Sequence, residues 1–164
     1  METCCDRLEQ YLTENHVQYE VQEHRQVYTI QEVAAVLHEK GLHVAKVFMA
    51  WADGQLVMLV LPASAHVDFG CVKTMLNAEN ARRAREVEFA HLFPDCDVGA
   101  MPPLGNLYNV PVYLDRALAD QAHLVFQAGT HHTTMKVAMS DYLKLVGPAI
   151  ENFARYSQIK SIAA

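Results

Sequence analysis

Apolar residues recur at helical spacing near the start of the chain, where Leu8, Tyr11 and Leu12 in TCCDRLEQYLTEN predict a helix over 3–15. VQYEVQEH at 17–24 then alternates apolar with polar and predicts a half-buried strand. Thr29 is placed to cap a helix TIQEVAAVLHEKG, with Glu32 completing a capping box and Gly41 ending it. Two apolar runs, HVAKVFMAW and QLVMLVLP, flank Asp53-Gly54, the strongest short signal for a hairpin. The stretch 70–91 is polar and charged and predicts two or three short helical pieces. VPVYLDRAL, HLVFQAG and TTMKVAMS predict three further strands, and Ser140-Asp141 opens a final helix running to Lys144. The order α-β-α-ββ-α-βββ-α, with hairpins outnumbering crossovers, predicts an α+β fold with a mixed sheet flanked by helices.

The length of 164 residues, 51% of them hydrophobic and 20% charged, fits one domain over 1–164 able to bury a full core. No run approaches the roughly 18 apolar residues of a membrane span, and METCCDRLEQ lacks the basic start and apolar core of a signal peptide. The expected compartment is the cytoplasm. A net charge of −6 argues against indiscriminate binding of polyanions, while leaving room for a local basic patch. The four cysteines (Cys4, Cys5, Cys71, Cys96) show no C-x-x-C pairing and are expected as plain thiols, with neither disulfide nor zinc knuckle. No G-x-S-x-G, H-E-x-x-H or G-x-x-x-x-G-K motif occurs.

Three stretches carry candidate chemistry. On the first predicted hairpin strand, Val44, Lys46, Phe48 and Ala50 share one face and Ala45, Val47, Met49 and Trp51 the other. Both faces are apolar, so an ammonium at Lys46 needs a partner, a wet cleft or an anionic ligand, or else it snorkels at the strand's entry beside His43. In DVGAMPPLGNLYNVPVYLD (97–115), glycines, paired prolines and asparagines make a stiff loop. Such a loop is either an ordinary turn or a cradle of amides for an anion. In FQAGTHHTTMKVAMS (126–140) a strand turns through Ala128, Gly129, Thr130 and His131; adjacent His131 and His132 have no nearby Cys, Asp or Glu to complete a metal site, and His132 reads as a surface residue. ENARRAREVE (79–88) gathers Arg82, Arg83 and Arg85, with Lys73 upstream, as a phosphate-facing patch or a solvated face offset by Glu79, Glu86 and Glu88.

Together, the strand lysine with its apolar hairpin, the G-x-x-x-P loop from Gly99 to Pro103 and the A-G-x-H turn ending at His131 resemble the YbaK/prolyl-tRNA-synthetase-associated domain family from Val17 to Phe153. The resemblance implies a curled mixed sheet and trans-editing, the hydrolysis of the ester in mischarged aminoacyl-tRNA. It implies Lys46, Gly99 and His131 as catalytic residues, with Lys46 near the terminal adenosine and its phosphate. Phe48, Ala100, Met101, Pro102, Pro103, Gly129 and Thr130 would bind the substrate, and Lys73, Arg82, Arg83 and Arg85 the tRNA. His131 tilts the substrate away from Cys-tRNA toward another small amino acid, while bulky Met101-Pro102 leaves its identity open. No metal or other cofactor is expected. The implied partners are the acceptor end of aminoacyl-tRNA and a cognate synthetase, with neither membrane nor DNA. A non-catalytic aminoacyl-tRNA-binding module of the same fold is the first alternative, and a thiol-redox protein built on Cys4-Cys5 a distant second.

Overall fold

Helix α1 (Cys4–Glu14) begins where Thr3 and Asp6 exchange the two hydrogen bonds of a capping box, and it buries Cys4, Leu8 and Leu12. The computed structural model describes residues 2–26, 32, 34, 35 and 43–156. The helix expected from Thr29 to Gly41 lies outside these residues, apart from 32, 34 and 35, which are helical. Strand β1 (Tyr19–Glu23) follows α1, but its residues are mostly exposed rather than half-buried.

The predicted hairpin is present as β2 (Ala45–Ala52) and β3 (Gln55–Pro62). Asp53 and Gly54 both have positive φ, 48° and 82°, as the two central residues of a type I′ turn require. Ala45 and Met49 enter the larger core with Val47 and Trp51 packed against it, whereas Ala50 belongs to a second cluster flanked by Phe48. The strand is therefore covered on both faces, as its sequence pattern required.

The stretch 70–91 holds the expected short helical pieces, with a strand between them. After a two-residue strand β4 (His66–Val67), helix α2 (Phe69–Leu76) ends at Asn77 in the left-handed region. The arginines that follow stand on a strand, β5 (Ala81–Arg83), before the short helix α3 (Glu86–Phe89). The Asp53 carboxylate accepts from the amides of Glu79 and Asn80 and so presses this segment against the hairpin turn. Tertiary pairing with Ala50–Ala52 overrides the local preference.

Strand β6 (Val112–Asp115) gives way to a short helix α4 (Arg116–Ala119), then β7 (His123–Gln127), β8 (Thr133–Ala138) and α5 (Met139–Val146). Two short strands beyond α5, β9 (Ala149–Glu151) and β10 (Ala154–Arg155), were not anticipated. The main sheet has the order β5-β2-β3-β6-β9 and is mixed, antiparallel across β5-β2-β3 and parallel across β3-β6-β9. A second sheet, β1-β8-β7, is antiparallel, and a parallel bridge between Val44 and Val125 joins the two. The chain is a single α+β domain whose sheet is open rather than closed into a barrel.

Asp115 ties the segment at 153–154 to this sheet. Its carboxylate is 4% exposed and accepts from the amides of Ala117, Phe153 and Ala154 at 2.9–3.0 Å. Asp115→Asn, which keeps the shape but loses charge and one acceptor, should cost roughly 1 to 2 kcal/mol. Urea unfolding should show it as a lower midpoint at unchanged slope, and an unaltered midpoint would remove this role.

Candidate active site

The site grows out of a gap along one edge of β2. The carbonyl of His43 accepts from Val125 N at one end of this edge, and the carbonyl of Met49 accepts from Ala84 N at the other. Between these points neither β7 nor β5 pairs with β2. Backbone groups alternate in direction along a strand, so Val47, in step with His43 and Met49, turns its N–H and C=O into the gap. A cleft of about 630 Å³ lies there, walled by Val47, Phe48, Met49, Phe89 and Met101, with Arg83, Arg85 and Glu86 at one side and Val98 and Gly99 at another.

The G-x-x-x-P loop and the A-G-x-H turn, separated in sequence, dock against each other. Gly129 N donates to Ala100 O at 2.9 Å, and Asp97 N donates to Gly129 O at 2.7 Å. His131 is 9% exposed, and its Nε2 lies 3.0 Å from Val98 O, to which it donates as the Nε2–H tautomer. Gly99 has φ +86°, and a Cβ built there would stand 3.6 Å from the His131 ring. The loop's far end is anchored too, because the buried Tyr142 hydroxyl donates to Pro103 O at 2.6 Å.

The carbonyls of Val98, Ala100 and Pro103 are thus engaged inward. Ala100 N donates to Asp97 O, and Pro102 and Pro103 have no N–H, which leaves the amides of Val98, Gly99 and Met101 as the donors available to the cleft. Ala100, Met101, Pro102 and Pro103 are all buried, so this loop forms a wall with little freedom. Thr130 donates its hydroxyl to Thr133 Oγ1 at 3.0 Å and stabilises the turn. His132 is exposed, consistent with the surface position expected of it.

Lys46 is half-buried on the same side of β2 as Phe48, and its Nζ donates to Ala65 O at 2.5 Å. Arg83, from the neighbouring strand, holds its guanidinium 5.1 Å from the centre of the Phe48 ring. Burial first, and the Arg83 charge second, push the Lys46 ammonium below the ordinary lysine range. Lys46 and Arg83 are thus near enough for their charges to repel, and neither has a carboxylate partner among the described residues.

The four cations grouped by the sequence fall in two places. Arg83 and Arg85 line the cleft, while Lys73 and Arg82 line a separate cavity of about 690 Å³ with Trp51 and Asn80. Arg82 makes a two-pronged pair with Glu88 at 2.8 and 2.9 Å, and Arg85 adds a bond to the same carboxylate at 3.1 Å. Hydrogen bonding by Arg82 and by the Arg85 amide holds Glu88 far below the ordinary carboxylate range. Of these three arginines, Arg83 is the one without an ion-pair partner among the described residues. Alternation along a three-residue strand separates Arg82 from Arg83, a separation that a helical reading of the segment hides.

The model of the aminoacyl-tRNA editing domain matches residues 24–145. The crystal structure of a hypothetical protein superposes with a TM-score of 0.81 at 17% identity, covering 91% of this chain and 99% of the other. A protein provisionally assigned as a trans-editing enzyme for prolyl tRNA synthetase superposes with a TM-score of 0.79 at 17% identity, covering 94% and 99%. No curated protein matches the sequence. At these identities the superpositions establish the shared fold, while the family match spans most of the sequence and includes Lys46, the loop and the turn. The chain belongs to the aminoacyl-tRNA editing domain family.

Proposed function

We propose that the protein is a trans-editing hydrolase that deacylates mischarged aminoacyl-tRNA at the terminal adenosine ester, with a small amino acid as the acyl group. The observation that carries this reading is the unpaired Arg83 guanidinium over Phe48 in the wall of a cleft bordered by an amide-bearing loop, with the Lys46 ammonium near enough to feel its charge. The ammonium and guanidinium would hold the terminal phosphate, and Phe48 would offer a face to the adenine. The apolar walls Val47, Met49 and Met101 suit a small side chain, and the Val47 carbonyl supplies an acceptor for the substrate's α-ammonium.

No Ser, Thr, Cys or His is among the described residues lining the cleft, so the attacking group in this proposal is water. It adds to the ester carbonyl and gives up a proton; the amides of Gly99 and Met101 receive the developing oxyanion; collapse breaks the ester C–O bond and expels the ribose oxygen, which takes up that proton to leave as the hydroxyl. The neighbouring ribose hydroxyl of the tRNA itself helps to place the water. His131 acts here through the loop, by holding the Val98 carbonyl and with it the Gly99 amide. Gly129 and Thr130 shape the turn that carries it, and Ala100, Pro102 and Pro103 stiffen the wall. Arg85 and, more distantly, Lys73 and Arg82 would meet the acceptor stem. The cognate synthetase is a further partner.

A deacylation screen varying amino acid and tRNA independently tests the reading, with release of a small amino acid as the expected result. Intact ester across the whole panel, with tRNA bound, would instead establish the non-catalytic binding module, which the lack of a side-chain nucleophile at the cleft also accommodates. Within a productive assay, His131→Ala should slow turnover about tenfold or more by loosening the loop. His132→Ala should leave both rate and melting within noise, and equal losses at the two positions would dissociate the turn from catalysis.

A further inference from the structure

Behind the A-G-x-H turn, away from the cleft, four donor atoms converge from three parts of the chain. Cys4 lies in the first turn of α1, Asp95 and Cys96 follow one 3-10 turn, and Tyr108 ends another. The sulfurs of Cys4 and Cys96, residues 92 apart in sequence, are 3.5 Å from each other. Cys96 Sγ is 3.6 Å from Asp95 Oδ1 and 3.5 Å from the Tyr108 hydroxyl. That hydroxyl is 3.6 Å from Cys4 Sγ and 3.1 Å from Asp95 Oδ1. The Cys4, Cys96 and Asp95 donors all lie within 4.8 Å of one another.

We propose that Cys4, Asp95, Cys96 and Tyr108 form a binding site for a divalent cation of the zinc class. Tetrahedral zinc, with Zn–S about 2.3 Å and Zn–O about 2.0–2.2 Å, sets edges of roughly 3.8 Å between sulfurs, 3.5 Å between sulfur and oxygen and 3.4 Å between oxygens. The five distances above come within a few tenths of an ångström of those edges. Two thiolates select a soft or borderline cation over calcium or magnesium.

Charge supplies an independent argument. Arg7 lies 3.4 Å from Asp95 and 4.7 Å from the centre of the Tyr108 ring, and its Nη2 donates to Leu107 O at 2.6 Å. Two thiolates and one carboxylate carry three negative charges; a divalent cation and the fixed guanidinium carry three positive ones. Binding therefore leaves the pocket neutral, with two protons released from the thiols and no change of oxidation state. Tyr108 remains a neutral phenol at the fourth vertex. The metal would clamp α1 to the segments at 95–96 and 105–108. Asp97, next along the chain, donates to Gly129, so the clamp would stiffen the turn from behind without entering the cleft.

Cobalt(II) titration of the protein, kept reduced with a phosphine, tests this directly. One equivalent should produce a thiolate-to-cobalt charge-transfer band and intense visible bands of four-coordinate cobalt, both erased by zinc, and zinc should raise the melting temperature. Cys96→Ser should abolish the bands while Cys5→Ser and Cys71→Ser keep them; because Cys96 is only partly buried, this variant avoids the disturbance expected at Cys4. The proposal is overturned by absence of the bands in excess cobalt, by their survival in Cys96→Ser, or by their loss in Cys5→Ser. The readout is independent of deacylation, so neither proposal stands or falls with the other.

Discussion

Lys46→Ala should slow single-turnover deacylation by one to two decades while the protein stays folded. In the proposed complex the ammonium makes a charge-assisted contact to the terminal phosphate, worth roughly 1.5 to 3 kcal/mol. Stability should change little, because relief of a partly buried charge offsets the loss of the bond to Ala65 O. Burial and the Arg83 charge lower the Lys46 pKa on folding, so the unfolded chain binds the proton more tightly than the folded one. The resulting penalty is fully present below the folded value and fades as pH rises through it toward the ordinary lysine value. Relative to Lys46→Ala, the unaltered protein should therefore gain stability in alkaline melts. Lys46→Arg retains charge but replaces a compact ammonium with a planar fork, and should still lose activity in a site that already contains Arg83. If the lysine instead merely packs its stem, Lys46→Ala will melt lower and hydrolyse normally. A folded Lys46→Ala protein with undiminished rate would falsify the phosphate role.

The largest effect on stability is expected from Gly129→Ala. Gly129 has φ +93°, and an added Cβ would lie 2.4 Å from Cys4 Cβ and 2.7 Å from its Sγ. The clash cannot be relieved by swinging a flexible tip, because Cβ is fixed to the backbone of α1. Overpacking of about 1 to 3 kcal/mol and a left-handed backbone penalty of about 1 to 2 kcal/mol combine to roughly 2 to 5 kcal/mol. For a chain of this length the melting temperature should drop by roughly 10 °C. Gly54→Ala isolates the backbone part: its φ is +82° with nothing within 4 Å of the added carbon, so it should cost only the smaller penalty. Equal destabilisation by the two substitutions would show that Cys4 and the turn are not in tight contact.

The difference between those glycines marks what could be read locally. Asp53-Gly54 announced its turn because both φ values belong to two adjacent residues whose flanking runs pair directly. The same holds for β7 and β8, joined through a short turn, and for α1, whose cap is three residues from its partner. Gly129 looks equally permissive in sequence, but its lack of space depends on Cys4, 125 positions away. The brief strands β4, β5, β9 and β10 were illegible because two or three residues carry no periodicity, and their partners are distant.

Residue order by itself determined the face pattern of β2, with an ammonium between two apolar surfaces, and the kinds of residue in the loop and turn. Those properties follow from alternation along a strand and from the backbone freedom of glycine and proline. The tertiary structure decided which backbone groups meet: Gly129 with Ala100, His131 with Val98, and Val47 with an edge left unpaired. It also decided that Arg83, rather than Arg82, faces Phe48, and that Cys4 approaches Cys96. Such contacts depend on chain closure across long separations, where side-chain type alone does not specify a partner.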